Sequence, residues 1–230
     1  MSDIFNNQKF IVANFKQSGD LEGMKLWISE FKKNLANEDL KLNIVLCPSF
    51  PFIELFHREI FEDKNLNKGK IFIGSQNISS RSNLENTGEV GVESLKDMIN
   101  FSIIGHSERK ENYDEVTLKY NNCINNQIIP IICFYENKKV FEKENCIFAF
   151  EDPKSISHEG VYNQKNFNEL VEIVNSLKEL FANKTVLYGG SVNKDNALEI
   201  KNLNFFKGVL VGRSSLDPAA FCSIIKVFNS

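Results

Sequence analysis

The run Ile128-Ile-Pro-Ile-Ile-Cys-Phe134 carries the clearest fold signal in this 230-residue chain. It contains no charged side chain, and its hydrophobicity is continuous rather than alternating along the run. An unbroken apolar run of this length is typical of a strand that is buried on both faces, as in a parallel sheet. The run therefore predicts a parallel sheet whose two faces are both covered.

Seven further runs of the same kind lie on either side of it. They are Lys9-Phe-Ile-Val-Ala-Asn14, Leu42-Asn-Ile-Val-Leu-Cys47, Ile71-Phe-Ile-Gly-Ser75, Phe101-Ser-Ile-Ile-Gly105, Cys146-Ile-Phe-Ala-Phe-Glu151, Thr185-Val-Leu-Tyr-Gly189 and Gly208-Val-Leu-Val-Gly212. Between the runs, apolar side chains recur at helical steps of three and four residues. These sets are Met24, Trp27, Ile28, Phe31 and Leu35, then Phe167, Leu170, Val171, Val174, Leu177 and Phe181, and finally Leu216, Ala220, Ile224 and Phe228.

Eight strands that alternate with helices predict an α/β fold, a single parallel (β/α)8 barrel over residues 1–230. Each strand-helix unit is about 29 residues long, at the short end of the range for such barrels. A doubly wound open sheet is the alternative. No Gly-x-Gly-x-x-Gly follows the first run, which weakens a dinucleotide-binding interpretation of that alternative.

The composition excludes several classes of protein. The net charge is −3 and no basic block is present, so nothing suggests a nucleic-acid surface. No run of eighteen apolar residues predicts a membrane span, and residues 1–10 do not resemble a signal peptide. The five cysteines are scattered and form no metal-binding motif. We therefore expect a reduced, cytoplasmic protein without a metal or other cofactor.

Three chemically active side chains stand where predicted strands end, which is where the active site of such a barrel lies. Lys16 follows the first run, His106 follows the fourth, and Glu151 closes the sixth. Taken alone, Lys16 could be a solvated lysine and His106 a structural histidine. Glu151 ends an apolar run, so its carboxylate is either desolvated or directed into the barrel mouth, and that placement suits a general base.

Two Gly/Ser turns follow the seventh and eighth runs, Gly189-Gly-Ser191 and Gly212-Arg-Ser-Ser215. Glycine allows close approach of the backbone to a ligand, and the exposed N–H groups at a helix start attract anions. Either turn alone could be only a tight turn, but consecutive turns at these positions form the recurrent phosphate site of barrels. A base, polarising groups and a phosphate anchor together suggest proton abstraction next to a carbonyl in a phosphorylated substrate.

At this point the sequence resembles the triosephosphate isomerase family over essentially its whole length. The segments that carry the resemblance are Asn14-Phe-Lys16, Gly74-Ser-Gln-Asn77, Thr87-Gly-Glu89, Ile104-Gly-His-Ser-Glu-Arg-Lys110, Ala149-Phe-Glu151, Tyr188-Gly-Gly-Ser-Val192 and Gly208-Val-Leu-Val-Gly212. They occur in the family's order, and those around His106 and Ser191 are the most specific. The resemblance implies a TIM barrel.

The resemblance also implies a reaction, the interconversion of dihydroxyacetone phosphate and D-glyceraldehyde 3-phosphate through an enediolate, in glycolysis and gluconeogenesis. Glu151 would be the catalytic base and His106 a neutral electrophile at the carbonyl oxygen. Lys16 would supply positive charge to the enediolate and the phosphate. Asn14 would fix the surroundings of Lys16, and Glu108 would pair with it.

The same resemblance implies binding and assembly features. The phosphate would be held by backbone amides, those of Ser157, Ser191, Gly212 and Arg213. Residues 152–160 would form a lid that shields the enediol from water. The family forms homodimers, and Thr87 would cross the interface toward the partner's Lys16.

The chain departs from the family pattern in two places that bear on the site. The family has a proline directly after the catalytic glutamate and then an aromatic residue, whereas this chain has Glu151-Asp152-Pro153-Lys154. The second phosphate glycine is replaced by Arg213, which would be strained if the position required a positive φ.

Two other functions stay open. A phosphate-binding barrel could use Lys16 as a Schiff-base nucleophile, as aldolases do. A non-catalytic or impaired relative could bind a phosphorylated ligand without turnover.

Overall fold

The computed structural model describes residues 8–64, 66, 69–83, 85–135, 140, 142–155 and 164–230. Its centre is a closed barrel of eight parallel strands, paired in chain order, with the last strand paired to the first. This confirms the predicted (β/α)8 barrel and excludes the open doubly wound sheet. In the described part of the chain, no helix has the length and apolar character needed to cross a membrane.

The strands coincide with the eight apolar runs to within one residue at either end. They are β1 Phe10–Asn14, β2 Asn43–Cys47, β3 Ile71–Ser75, β4 Phe101–Ile104, β5 Ile129–Phe134, β6 Ile147–Phe150, β7 Val186–Tyr188 and β8 Gly208–Val211. The barrel closes where Phe10 pairs with Gly208. Gly208 has φ +135°, and a Cβ atom there would lie 1.8 Å from the Phe10 carbonyl oxygen, so this junction requires glycine.

Helices cover the outside of the barrel. In the described residues the α-helices are α1 Leu21–Leu35, α2 Ile53–Phe56, α3 Tyr113–Asn125, α4 Phe167–Leu177, α5 Ala197–Asn202 and α6 Pro218–Asn229. Two helical patterns in the sequence extend beyond the real helix ends. Phe181 is buried but lies in the turn after α4, and Leu216 precedes α6. Helix α6 starts at Pro218 because the Asp217 carboxylate caps the N–H groups of its first turn.

The core has two layers, which explains the continuous apolar runs. Alternate strand residues such as Phe10 and Val12 fill the barrel interior. Their neighbours, such as Ile11 and Ala13, face the surrounding helices instead. Both faces of each strand are thus buried, so no polar alternation survives in the sequence. All five cysteines are free and buried within these layers, as expected for small apolar side chains.

Candidate active site

A cleft at the carboxyl ends of the strands brings together most of the residues selected from the sequence. Its lining residues are Asn14, Lys16, His106, Glu151, Gly189, Gly190, Ser191, Val192, Leu210, Gly212 and Arg213. Glu108 lies beside the cleft and forms an ion pair with Lys16. Thr87 is exposed and is not part of the cleft. Ser157 and most of the predicted lid lie outside the described residues.

The backbone of Lys16 has an unusual conformation that its neighbours hold in place. Its φ is +52°, a left-handed conformation that costs a non-glycine residue roughly 1–2 kcal/mol. The Asn14 Oδ1 atom accepts a hydrogen bond from the Lys16 N–H at 3.0 Å. The Lys16 carbonyl accepts hydrogen bonds from Ser49 Oγ and Gln76 Nε2, both at 2.8 Å. These contacts aim the ammonium group into the cleft, where it meets Glu108.

His106 is fixed by the turn that follows β4. Its Nδ1 atom accepts the backbone N–H of Glu108 at 3.2 Å, at the start of the short helical turn Ser107–Arg109. A ring nitrogen that accepts a hydrogen bond carries no proton, so the neutral imidazole has its proton on Nε2. Nε2 lies 3.1 Å from Glu151 Oε1, so the protonated nitrogen faces the cleft.

The charge state of His106 depends on Glu151. Burial lowers the pKa of the imidazole, but the charge of the Glu151 carboxylate and its hydrogen bond outweigh burial, and Glu108 adds to their effect. The pKa of His106 is therefore raised above its ordinary value, although Lys16 opposes the change. Loss of the Glu151 charge, or movement of the carboxylate away, would remove the main cause of this rise and so favour the neutral imidazole that the resemblance implies.

Glu151 is almost completely buried, with 3% of its surface exposed. Its backbone N–H donates to the Phe134 carbonyl at 2.9 Å, which extends the barrel pairing by one residue. Its second carboxylate oxygen accepts the Ser107 N–H at 3.3 Å. Gly189 makes room for this side chain, since a Cβ atom at that position would lie 2.7 Å from Glu151 Cγ.

The two Gly/Ser turns lie side by side at the edge of the cleft. Arg213 begins the helical turn Arg213–Leu216 and is not among the residues with positive φ. The replacement of glycine by arginine is therefore not strained, and it adds an exposed cation next to Lys16. Ser191 Oγ donates to the Ser155 carbonyl at 2.6 Å. This hydrogen bond links the Gly/Ser turn after β7 to the short turn Pro153–Ser155 that follows Glu151.

A larger cavity of about 530 Å³ is also lined by Glu151. Its walls include Ser107, Tyr113, Cys133 and Tyr135. Glu151 thus lines two spaces, and Lys16, His106 and the two Gly/Ser turns line only the narrower cleft. Within the described residues, no group of three or more His, Cys, Asp or Glu side chains is arranged to hold a metal ion.

Sequence reasoning missed two kinds of site residue. Ser49 and Gln76 hold the Lys16 carbonyl, and both lie just beyond strands, β2 and β3. Their position just beyond strand ends is the sequence signal that marks them as site residues. The ion pair of Asp152 with Lys165 had no such signal, because thirteen positions separate the two residues in the sequence.

The barrel and this cleft define the class of protein, a (β/α)8-barrel enzyme with a buried acid–base pair and cationic side chains for a small anionic substrate. The model of the family "Triosephosphate isomerase" matches residues 9–228. The chain belongs to the triosephosphate isomerase family, whose members interconvert dihydroxyacetone phosphate and glyceraldehyde 3-phosphate.

Individual relatives agree with this assignment. The triosephosphate isomerase of Ehrlichia chaffeensis is 31% identical over 94% of this chain and 95% of its own length. That of Wolbachia pipientis wMel is 28% identical over 94% of this chain and 92% of its own length. The crystal structure of triosephosphate isomerase from Bartonella henselae superposes with a TM-score of 0.75, covers 97% of this chain and all of its own, and is 21% identical, which supports the fold. None of these comparisons supports the aldolase or the non-catalytic alternative.

Proposed function

We propose that the cleft catalyses the triose phosphate interconversion with Glu151 as the base, His106 as the electrophile and Lys16 as the fixed positive charge. The observation that carries the proposal is the convergence of these three side chains, from three different strand ends, with both glycine turns on one cleft. The reaction is a step in glycolysis and gluconeogenesis.

The proton transfer begins with an exchange of partners at His106. In the structure, the Glu151 carboxylate accepts the hydrogen bond from His106 Nε2–H. A substrate carbonyl oxygen must therefore replace the carboxylate as the acceptor of this hydrogen bond. The displaced carboxylate takes the proton from the carbon next to the carbonyl, and the electrons of that C–H bond form the enediolate. At His106 the proton of the neighbouring hydroxyl group passes to the former carbonyl oxygen, and Glu151 returns its proton to the adjacent carbon, which completes the isomerisation.

The same exchange accounts for a neutral His106. Once Glu151 has taken a proton or moved away, the main cause of the raised pKa of His106 is gone. Burial, which is the largest influence and lowers that pKa, remains, together with the smaller and opposite effects of Glu108 and Lys16. The imidazole then donates its Nε2 proton as a neutral hydrogen-bond donor, and Lys16 supplies the positive charge that the enediolate needs.

The phosphate is proposed to bind at the glycine turns through the backbone amides of Ser191, Gly212 and Arg213, with Ser157 as a fourth donor. Two cations, Lys16 and Arg213, line this side of the cleft and favour a dianionic group. Asn14 and Glu108 are proposed to support Lys16. Asn14 accepts a hydrogen bond from the Lys16 backbone N–H, and Glu108 pairs with the Lys16 ammonium group.

The test of this function is a coupled assay of glyceraldehyde 3-phosphate turnover in which inorganic phosphate is counted in the same samples. We expect rapid isomerisation with negligible phosphate release. Turnover with abundant phosphate release would keep the chemistry but refute a water-excluding lid. Absence of turnover in a well-folded sample would refute the proposed function.

We further propose that residues 1–230 form one domain in a cytoplasmic homodimer. The exposed position of Thr87 leaves it available to a partner subunit. Sedimentation equilibrium should give twice the monomer mass, and Thr87→Arg should shift the equilibrium toward monomer. A monomeric wild-type protein would contradict the dimer.

A further inference from the structure

Asp152 stands directly after Glu151, in the place where the family pattern has a proline. It is a buried carboxylate, with 4% of the residue exposed. Its Oδ2 atom lies 2.7 Å from the Nζ atom of Lys165, and the two side chains are 6% and 16% exposed. The chain has therefore exchanged a rigid imino acid beside the base for one member of a largely buried ion pair.

A pair of this kind acts as a unit. Taking both charges out of water is costly, and removal of Lys165 leaves the buried Asp152 carboxylate without this cation. Removal of Asp152 leaves Lys165 only the Glu169 carboxylate, 4.0 Å from its ammonium group. Burial lowers the pKa of Lys165, but the hydrogen bond and charge of Asp152 outweigh it and raise that pKa. The ammonium group consequently remains charged at neutral pH, and the two side chains hold each other in one arrangement.

Both members are attached to fixed parts of the fold. The Asp152 carbonyl accepts the N–H of Ser155 at 2.8 Å. Lys165 precedes Asn166, the N-cap of helix α4, which forms a reciprocal capping box with Glu169. The side chain of Leu170 in that helix is buried in the core. The pair therefore joins the residue after the base to a helix packed on the outside of the barrel.

We propose that Asp152 and Lys165 are positioning residues that fix the backbone at Glu151, in place of the proline that the family has there. The proposal rests on the proposed role of Glu151 as the base. Only one peptide bond separates Asp152 from Glu151, so displacement of Asp152 moves the carboxylate that takes the proton. A shift of about 1 Å can cost up to a hundredfold in rate.

The test compares four variants in steady-state kinetics and thermal unfolding. Lys165→Met and Asp152→Asn each break the pair, the double variant removes both charges, and Lys165→Arg keeps the positive charge. Lys184→Met is the matched control, because the Lys184 side chain is 20% exposed, pairs with Glu144, and lies before β7 at the opposite end of the barrel.

We expect Lys165→Met to lower kcat by about tenfold or more with KM changed less than about threefold, since the substrate contacts are intact. Lys165→Arg should retain most of the turnover, and Lys184→Met should match the wild type. The double variant separates positioning from stability. It has no buried unpaired charge, so its unfolding temperature should recover toward that of the wild type, while kcat should stay low.

Recovery of kcat together with stability in the double variant would overturn the proposal, as would unchanged kcat in Lys165→Met. A double variant that does not fold would also overturn it, because the pair would then be needed for the fold itself. Glu151→Gln is assayed alongside. If it retains turnover, the proposed base is wrong, whereas loss of turnover in Glu151→Gln with normal kcat in Lys165→Met refutes only the positioning role.

Discussion

Lys16 and Glu151 both line the cleft, but the protein holds them in different ways. Lys16 is fixed through its backbone, whose left-handed conformation has hydrogen bonds at both the N–H and the carbonyl. The Glu151 side chain contacts His106, the Ser107 N–H at 3.3 Å and the Cys133 side chain, and its contact with His106 has to be given up during the proposed reaction.

The difference reflects the two roles. A charge that stabilises an enediolate works best when it is already in place, because no reorganisation is then needed during the reaction. A base that serves two adjacent carbons has to shift its carboxylate between them. The protein therefore accepts backbone strain at the lysine and leaves space around the glutamate, where Gly189 has no side chain.

The largest effect is expected from shortening the base. Glu151→Asp withdraws the carboxylate by about 1 Å or more, which should lower kcat by about a hundredfold or more. KM should change little, because the phosphate contacts remain. Initial-rate kinetics in both reaction directions measure this, and an Asp variant with undiminished kcat would remove Glu151 from the role of base.

Filling the space beside the base should have the next largest effect. In Gly189→Ala the new methyl group would lie 2.7 Å from Glu151 Cγ and 3.1 Å from the Phe150 carbonyl oxygen. We expect kcat to fall by roughly tenfold to fiftyfold as the carboxylate is displaced. Gly91→Ala is the control, since nothing lies within 4 Å of its added Cβ atom. Equal kinetics for the two variants would refute the need for this space.

Removal of a hydrogen bond to the Lys16 backbone should lower kcat by less than Glu151→Asp or Gly189→Ala. Gln76→Leu removes the donor to the carbonyl groups of Lys16 and Cys47. We expect about a tenfold loss of kcat and a loss of about 1–3 kcal/mol in unfolding free energy. Asn175→Leu, on the exposed side of α4, is the matched control. Loss of stability with normal kcat would mean that Gln76 does not position Lys16.

The smallest change concerns the titration of His106. Because Glu151 raises the pKa of His106, the Glu151→Gln variant should titrate this ring at lower pH than the wild type. A raised folded-state pKa gives stability that is fully present below the unfolded value of about 6.5 and is lost as pH rises through the folded value. The unfolding free energy of the wild type should therefore exceed that of the variant by more at pH 5.5 than at pH 8.5. NMR titration and chemical unfolding measure the two effects, and an unmoved His106 pKa would contradict the coupling.

Strand ends were the part of the site that the sequence could predict. Lys16, His106 and Glu151 each follow an unbroken apolar run, and parallel strands in a barrel bring their ends to one face. The same rule covers Ser49 and Gln76, which follow the ends of β2 and β3 and hold the Lys16 carbonyl. It could not cover Asp152 and Lys165, since their contact depends on where helix α4 packs rather than on any strand.

The helix ends show a similar limit. Periodicity placed Phe181 and Leu216 in helices because both keep the helical spacing. Both lie outside the α-helices, Phe181 in the turn after α4 and Leu216 at the end of the short helical turn Arg213–Leu216, which precedes the Asp217 cap of α6. Apolar spacing reports which side chains are buried, whereas capping decides where a helix begins and ends.

The sequence by itself determined eight buried parallel strands and the side chains that stand at their ends, because burial on both faces leaves a continuous apolar pattern. The structure decided that these strands close into a barrel rather than forming an open sheet. Only the tertiary structure decided how these side chains are held. The hydrogen bonds that hold the Lys16 carbonyl, the contact of His106 Nε2 with Glu151 and the Asp152–Lys165 pair each join residues far apart in the chain. Such contacts arise from packing, and no local pattern of residues encodes them.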